Sequence, residues 1–184
     1  SYAQELKRLK LVICAPGISG NYLQTVFILN YSAMKAGTTY KDYVISTDIQ
    51  QLDITLIHDY LSNESYWAKG IPLDVVKKSI QHSLCFGIYK GEQQVGFARV
   101  ITDKATFAYL ADVFVLPGHR GKGLSKWLME FIHAYPELQG LRRWMLGTKD
   151  AHGLYEQFGW KIFTEEASKR FMQLHNPDLY NESD

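Results

Sequence analysis

The chain has 184 residues, of which 46% are hydrophobic and 21% are charged, with a formal net charge of +1. This composition is typical of one globular domain with a full core. The near-neutral charge excludes a general electrostatic attraction to nucleic acid or to an anionic membrane. No apolar run approaches the roughly 20 residues of a membrane-spanning helix. We therefore predict a protein that binds neither nucleic acid nor membrane.

The first 33 residues differ in character from the remainder of the chain. They combine a basic segment, a Pro16-Gly17 break and the apolar run LQTVFILNY, and Met34 then begins a polar stretch. We interpret residues 1–33 as an N-terminal extension of unknown role and residues 34–184 as the functional domain. The two cysteines, Cys14 and Cys85, lie in apolar surroundings and lack the spacing of a metal site or of a CxxC motif, so we predict free, buried thiols in a reducing cytoplasm and no metal.

Hydrophobic periodicity predicts alternating helices and strands along the domain. The clearest helix follows residue 122, with apolar side chains at Leu124, Trp127, Leu128, Phe131 and Ile132, and Pro136 ends it. The predicted order is a strand at 43–46, helices at 48–61 and from Pro72 to Ile80, strands at 84–90, 93–102 and 105–116, a helix at 122–135, a strand at 143–148, a helix at 150–158, and strands at 160–163 and 170–174. This order indicates an α+β fold with a mixed sheet and helices on both faces.

The segment HRGKGLS, residues 119–125, lies between a strand and the clearest helix. Unpaired N–H groups at a helix start carry the positive end of the helix dipole, and glycines let an anion approach them closely. A phosphate ligand is one interpretation, and an ordinary strand–helix turn is the other. A P-loop does not fit, because Leu124 stands where that motif needs lysine. A dinucleotide fingerprint does not fit either, because the preceding strands are antiparallel.

Two segments together resemble the GNAT N-acetyltransferase superfamily. They are DVFVLPGHRGKGLSKWLMEFI, residues 112–132, and DAHGLYEQFGW, residues 150–160. The resemblance covers roughly residues 41–184. It implies a mixed, mostly antiparallel sheet of six to seven strands with helices on both faces. It also implies an acyltransferase that moves an acetyl group from acetyl-CoA directly to a primary amine of a small molecule or to an exposed protein amine.

The resemblance also implies which residues bind coenzyme A. Strand backbone at Val113, Phe114 and Val115 would bind the acetyl carbonyl and the pantetheine amides, and Thr148 would lie across the gap from them. The pyrophosphate would be held by His119, Arg120, Gly121, Lys122, Gly123, Leu124 and Ser125. The family pattern Q/R-x-x-G-x-G/A can be aligned with this loop in two ways, and each alignment departs from it. One lacks the leading Gln/Arg, and the other places Ser125 where Gly or Ala is usual.

Two residues are candidates for the chemistry of acetyl transfer. The resemblance assigns Tyr155 the protonation of the departing thiolate, and the alternative is an ordinary tyrosine with a buried ring and a solvated hydroxyl. Asp112 lies in an apolar strand, where a buried carboxylate needs a partner or a purpose. It is a candidate base or acceptor-binding carboxylate, and deprotonation of the amine through water is an equal alternative.

In this family the acceptor pocket is formed largely by the first two helices and their connection, which here is residues 62–72. Tyr66 and Trp67 are the candidate substrate-binding residues, because aromatic faces bind amine cations; the alternative is that they close an edge of the core. A transferase for longer acyl chains and a non-catalytic acyl-CoA-binding sensor or interaction module on the same fold are the rival functions. The N-terminal extension and the exposed last strands are compatible with a homodimer.

Overall fold

One six-stranded sheet organises residues 38–180, the part of the chain described by the computed structural model. The helices, counting only α-helical residues, are α1 Ile54–Asp59, α2 Leu73–Gln81, α3 Leu124–Ala134, α4 His152–Glu156 and α5 Glu165–Ser168. The strands are β1 Thr38–Tyr40, β2 Tyr43–Ser46, β3 Leu84–Lys90, β4 Gln93–Thr102, β5 Phe107–Val115 and β6 Arg143–Leu146.

The strands lie in the sheet in the same order as in the chain. Neighbouring strands from β1 to β5 are antiparallel, and β6 is parallel to β5 because α3 lies between them in the chain. The prediction of a mixed, mostly antiparallel sheet with six to seven strands is confirmed, with six strands in the described residues.

Helices cover both faces of this sheet, as the sequence predicts. Alternation along β3 turns Phe86 to one face, where its ring meets Phe131 of α3 with centroids 6.1 Å apart. Cys85, on the opposite face, belongs to a core cluster with Ile57 of α1 and Val76 of α2. The α1–α2 layer and α3 therefore lie on opposite sides of the same strands.

The first predicted helix, over residues 48–61, is not continuous: two shorter helical segments begin separately within it. The Asp48 carboxylate accepts a hydrogen bond from the Gln50 N–H at 2.9 Å, which caps a short 3₁₀ turn. The Asp53 carboxylate accepts from the Leu56 N–H at 2.9 Å and caps α1, which continues into a π-helical turn at Tyr60–Glu64. Aspartate favours such N-cap positions over helix interiors, so two caps divide a segment that periodicity alone joins.

The two strands predicted after residue 158 are wrong. Residues 160–163 and 170–174 form no strand. Trp160 instead donates its indole N–H to His133 Nε2 at 3.1 Å and stacks on that ring. Thr164 caps α5, where its side chain accepts a hydrogen bond from the N–H of Ala167. Side-chain contact and a helix cap thus outweigh the strand-like alternation of this segment.

The N-terminal extension at residues 1–33 lies outside the described residues, so its boundary stays a prediction. Cys85 is a free, buried thiol, and burial raises its pKa to about 12. Across residues 38–180, no helix has the length and apolar character needed to cross a membrane.

Candidate active site

Strands β5 and β6 pair over only part of their length. Their register runs from Phe107 opposite Arg143 to Leu110 opposite Leu146, and it ends there. Residues 111–115 of β5 continue without a partner in β6. Beyond Leu110 and Leu146 the two strands therefore share no ladder hydrogen bonds, and we call this unpaired region at their carboxyl ends the gap.

A β-bulge at Asp112 lies at the start of this gap. Arg99 of β4 pairs with Ala111 and Phe97 pairs with Phe114, so two residues of β5 stand opposite one residue of β4. Asp112 has a φ of 54°, an uncommon conformation that aspartate tolerates better than most residues. The extra residue redirects the second half of the strand.

The bulge also determines which backbone groups face the gap. Beyond it, the Leu116 N–H donates to the Val95 carbonyl of β4 at 2.9 Å. Because successive residues of a strand point their N–H groups to opposite sides, the N–H groups of Val113 and Val115 face the gap, and that of Phe114 faces β4. The Phe114 ring instead stacks on Tyr60, with centroids 3.9 Å apart.

The loop between β5 and α3 leaves the start of α3 uncapped. Gly123 is the N-cap residue with a φ of 84°, and it provides no side-chain hydrogen bond to the helix. The Gly123 carbonyl is the first acceptor within the helix, and it accepts from the N–H of Trp127. The backbone N–H groups that precede Trp127 in α3 therefore have no acceptor within the helix and are available to a ligand. A Cβ built on Gly121 would meet no atom within 4 Å. This arrangement fits an anion such as a pyrophosphate.

The polar side chains of this loop mainly contact protein groups. Arg120 donates to the Val115 carbonyl at 2.9 Å and to the Tyr60 hydroxyl at 3.0 Å. Lys122 donates to the Gly118 carbonyl at 3.0 Å. His119 is hydrogen-bonded to the Tyr43 hydroxyl, and desolvation together with the Lys122 and Lys90 charges lowers its pKa. These side chains shape the loop and leave the helix amides exposed.

Two predicted residues lie on the β6 side of the gap. Thr148 follows β6, and its hydroxyl accepts a hydrogen bond from the Ala151 N–H at 3.0 Å, just before α4. Tyr155 of α4 is buried, and burial raises its pKa to about 12, with smaller contributions from Tyr66 and Asp150. Its phenol therefore keeps its proton at any ordinary pH and can act as a proton donor.

Thr148 and Tyr155 also line a cavity of about 670 Å³. The cavity extends along β6 to the aromatic side chains of Trp144 and Trp160. Residues 119–125 do not line it. The glycine loop and the two residues of the β6 side therefore contact different regions of open space.

Asp112 has two partners on the face of the sheet that α1 and α2 cover. Its Oδ2 accepts a hydrogen bond from Arg99 Nε at 2.7 Å, and its Oδ1 accepts one from the indole N–H of Trp67 at 3.2 Å. The side chains of Asp112 and Arg99 are only 10% and 14% exposed. The pairing with Arg99 thus compensates the burial of a carboxylate in an otherwise apolar strand.

Tyr66 and Trp67 lie at the surface, 51% and 43% exposed. Their rings meet edge to face with centroids 5.0 Å apart. The Tyr66 hydroxyl accepts a hydrogen bond from the Lys149 N–H at 2.7 Å. The core position in this segment is taken by Ala68 and Ile71 instead, which favours a ligand-facing role for the two aromatic residues over closure of the core.

Sequence reasoning missed three contributors to this site. Arg99 binds Asp112, Lys149 binds Tyr66 through its backbone, and Tyr60 binds Arg120. A signal for the first was present, because Arg99 and Asp112 are single charges in two consecutive apolar strands, FARV and LADVF. The other two had no sequence signal, since a backbone N–H and a helix-face tyrosine are unremarkable.

Comparison with known proteins agrees with this geometry. The family model for the acetyltransferase (GNAT) domain matches residues 81–162. A Gibberella zeae protein named "putative acetyltransferase" is 35% identical over 147 residues, which cover 67% of this chain and 82% of that protein. The chain therefore belongs to the GNAT family, and it is an N-acetyltransferase.

Solved structures show the same fold. A Xanthomonas campestris protein described as a "putative acetyltransferase belonging to the GNAT family" is 54% identical and superposes with a TM-score of 0.72. The match covers 75% of this chain and 96% of that protein. Glucosamine-6-phosphate N-acetyltransferase from Arabidopsis thaliana is 15% identical, with a TM-score of 0.52 and coverage of 73% of this chain and 97% of that one. The second likeness concerns the fold alone.

Proposed function

We propose that the protein transfers an acetyl group from acetyl-CoA directly to a primary amine, carried by a small molecule or exposed on a protein. The observation that carries this proposal is the gap between β5 and β6 beyond Leu110 and Leu146. Free backbone N–H groups border the gap on one strand, and a protonated tyrosine lies beyond the other.

The chain has suitable groups for binding the donor. The uncapped start of α3 and the open space at Gly121 fit the pyrophosphate of acetyl-CoA. The backbone of Val113 and Val115 would bind the pantetheine arm in place of a strand partner. No cluster of His, Cys, Asp or Glu in residues 38–180 is arranged to hold a metal ion, and the proposed chemistry uses only protein groups.

Acetyl transfer needs stabilisation of a developing oxyanion and a proton for the leaving sulfur. When bound, acetyl-CoA supplies a reactive thioester. The Val115 N–H, which points into the gap, would donate a hydrogen bond to the acetyl oxygen. Tyr155, whose pKa is about 12, would hold its proton until the thiolate of coenzyme A accepts it.

For Asp112 we propose an acceptor-side role. Both of its oxygens already accept hydrogen bonds, from Arg99 and from Trp67. A carboxylate held in this way is better suited to shaping the acceptor site than to removing a proton. We propose that water carries the proton away from the amine, which must be neutral to attack.

The test compares wild type with Tyr155→Phe. The measurement is thiol release from acetyl-CoA across a panel of primary amines, including a lysine-containing peptide. We expect kcat to fall about 100-fold in Tyr155→Phe, because general acid catalysis typically contributes that much or more. Tyr135→Phe is the matched control, because Tyr135 is also a buried tyrosine with a raised pKa but packs on Phe86 and Phe131, against α3. It should keep near-normal kcat.

Other outcomes would identify the rival functions. Coenzyme A binding without turnover of any amine would favour the acyl-CoA sensor, and faster turnover of a longer acyl-CoA would favour the longer-acyl transferase. An unchanged kcat in Tyr155→Phe would remove Tyr155 from the mechanism. We also propose that the protein is cytoplasmic and forms a homodimer. Light scattering of the purified chain would test the dimer, and fractionation of cells that express the protein would test the location.

A further inference from the structure

The segment that connects α1 to α2 is fixed by its own buried residues. Ser65 is buried, its hydroxyl donates to the Leu61 carbonyl at 2.6 Å, and it accepts from the Ala68 N–H at 3.1 Å. Ala68 and Ile71 belong to the core cluster. The exposed pair Tyr66 and Trp67 is therefore presented outward from a rigid turn.

Each ring of this pair is bound to a different strand of the gap. Trp67 donates to Asp112, at the bulge of β5 where the pairing with β6 has just ended. Tyr66 accepts from the N–H of Lys149, three residues beyond the end of β6. We call these two side chains, Tyr66 and Trp67, the aromatic bridge, because they connect Asp112 of β5 with the segment that follows β6, on the α1–α2 side.

The Asp112 end of the bridge is itself held in place. Arg99 donates to Asp112 and, through Nη1, to the Ser83 hydroxyl at 3.2 Å. Ser83 in turn donates to the Ser79 carbonyl of α2 at 2.8 Å. A charged pair and a chain of hydrogen bonds therefore fix the orientation of the carboxylate that receives the Trp67 N–H.

We propose that the aromatic bridge selects the acceptor amine by width. An amine that reaches the gap from the α1–α2 side must pass beside two rings that are anchored at both strands. A slender amine on an unbranched carbon passes with the bridge intact. An amine whose nitrogen-bearing carbon is branched must displace a ring and break one of its two hydrogen bonds, at a cost of roughly fivefold to tenfold in kcat/KM. This inference rests on the proposed amine acetylation and names its substrate class.

The test measures kcat/KM for n-propylamine and for isopropylamine with acetyl-CoA as donor. We expect wild type to prefer n-propylamine, and Trp67→Ala and Tyr66→Ala to reduce that preference by roughly fivefold to tenfold. Tyr66→Phe, which loses only the hydroxyl, should reduce it by a smaller factor. The KM for acetyl-CoA should stay within about twofold in all three, because the donor site lies on other residues.

Ile49→Ala is the matched control, since Ile49 is an exposed apolar residue outside this segment, 40% exposed. It should keep the wild-type preference. An unchanged ratio in both alanine variants, with normal coenzyme A binding and thermal unfolding, would rule out selection by the bridge. Absence of turnover with every amine would instead remove the proposed function.

A second measurement tests the bridge without activity. In Tyr66→Phe the Lys149 N–H loses its acceptor, so its hydrogen exchange should become faster, and the amide of Ala151, bound to Thr148, should exchange as before. Equal exchange at Lys149 in wild type and Tyr66→Phe would show that the hydrogen bond is absent in solution, which would contradict the proposal.

Discussion

The proposed donor side and the proposed acceptor side of the gap are built in different ways. The donor side, Pro117 to Ser125, is one continuous segment that presents backbone N–H groups at a helix start. The acceptor side joins groups from four segments: the side chains of Tyr66 and Trp67 before α2, of Arg99 in β4 and of Asp112 in β5, and the backbone N–H of Lys149 after β6. A continuous backbone site depends on local spacing, whereas a side-chain site depends on the whole sheet.

This difference predicts that substitutions can impair binding of the amine or binding of acetyl-CoA independently of each other. Replacing a side chain on the acceptor side should change the amine acceptor and leave acetyl-CoA binding intact. Obstructing the backbone on the donor side should do the reverse. The following substitutions test the separation.

The largest expected effect follows from Arg99→Met. It leaves the Asp112 carboxylate, which is only 10% exposed, without its charged partner. Removing one partner of a buried ion pair typically costs about 3 kcal/mol, so thermal or denaturant unfolding should show a loss of that size. In the protein that remains folded, KM for the amine should rise while the affinity for acetyl-CoA persists.

A double-mutant cycle distinguishes pairing from general damage at this position. Asp112→Asn removes the charge, so the double variant Arg99→Met/Asp112→Asn should be less destabilised than the sum of the single changes. Additive losses of unfolding free energy would mean that Arg99 and Asp112 are not coupled. A loss of acetyl-CoA binding in these variants would contradict the independence of the two sides.

A smaller effect is expected from Gly121→Ala on the donor side. Gly121 has a φ of 74° and open space around it, as does Gly140, whose φ is 76°. Both alanine variants therefore carry similar backbone strain, about 1 kcal/mol. Only Gly121→Ala places a methyl group where the anion should bind, so only it should raise KM for acetyl-CoA, by about tenfold. Equal KM values in the two variants would count against the anion site.

The smallest effect is a change in the titration of His119. Desolvation and the nearby Lys122 and Lys90 charges lower its pKa from the usual value, so the free imidazole is neutral at pH 7. Bound phosphate adds negative charge, which favours the protonated form, so coenzyme A should raise the pKa of His119 in an NMR titration. His133, whose pKa is lowered by burial alone, should titrate unchanged. A fall at His119, or no change, would contradict pyrophosphate binding at the loop.

Most of the fold was predictable because its elements carry strong local signals. The strands 84–90 and 93–102 and the helix after Gly123 match the sequence prediction within one or two residues. The failures occur where a side chain competes with the backbone pattern. Asp53 interrupts the first helix with a cap, and the indole of Trp160 binds His133 where alternation predicted a strand.

The sequence indicates the part of the candidate site that consists of the backbone of one continuous loop. The glycine loop and the break between strand and helix are visible in HRGKGLS. The partners of Asp112 and Tyr66 were not visible, because Trp67 and Arg99 are 45 and 13 positions away from Asp112 and Lys149 is 83 positions away from Tyr66. Only the register of the sheet brings them together.

The single extra residue at Asp112 changes the phase of β5. Register places Leu110 on the α3 face, opposite Val100, and Phe114 on the α1 face, opposite Phe97, although both residue numbers are even. If β5 kept its regular alternation through this position with every residue in place, the Phe114 ring would turn away from Tyr60 and the Val113 and Val115 amides would face β4. A deletion of Asp112 would instead leave Phe114 opposite Phe97, because the registers on both sides of the bulge then form one unbroken ladder. The orientation of the amides that border the gap is therefore encoded by one extra residue, which sets the phase of the second half of β5 relative to the first.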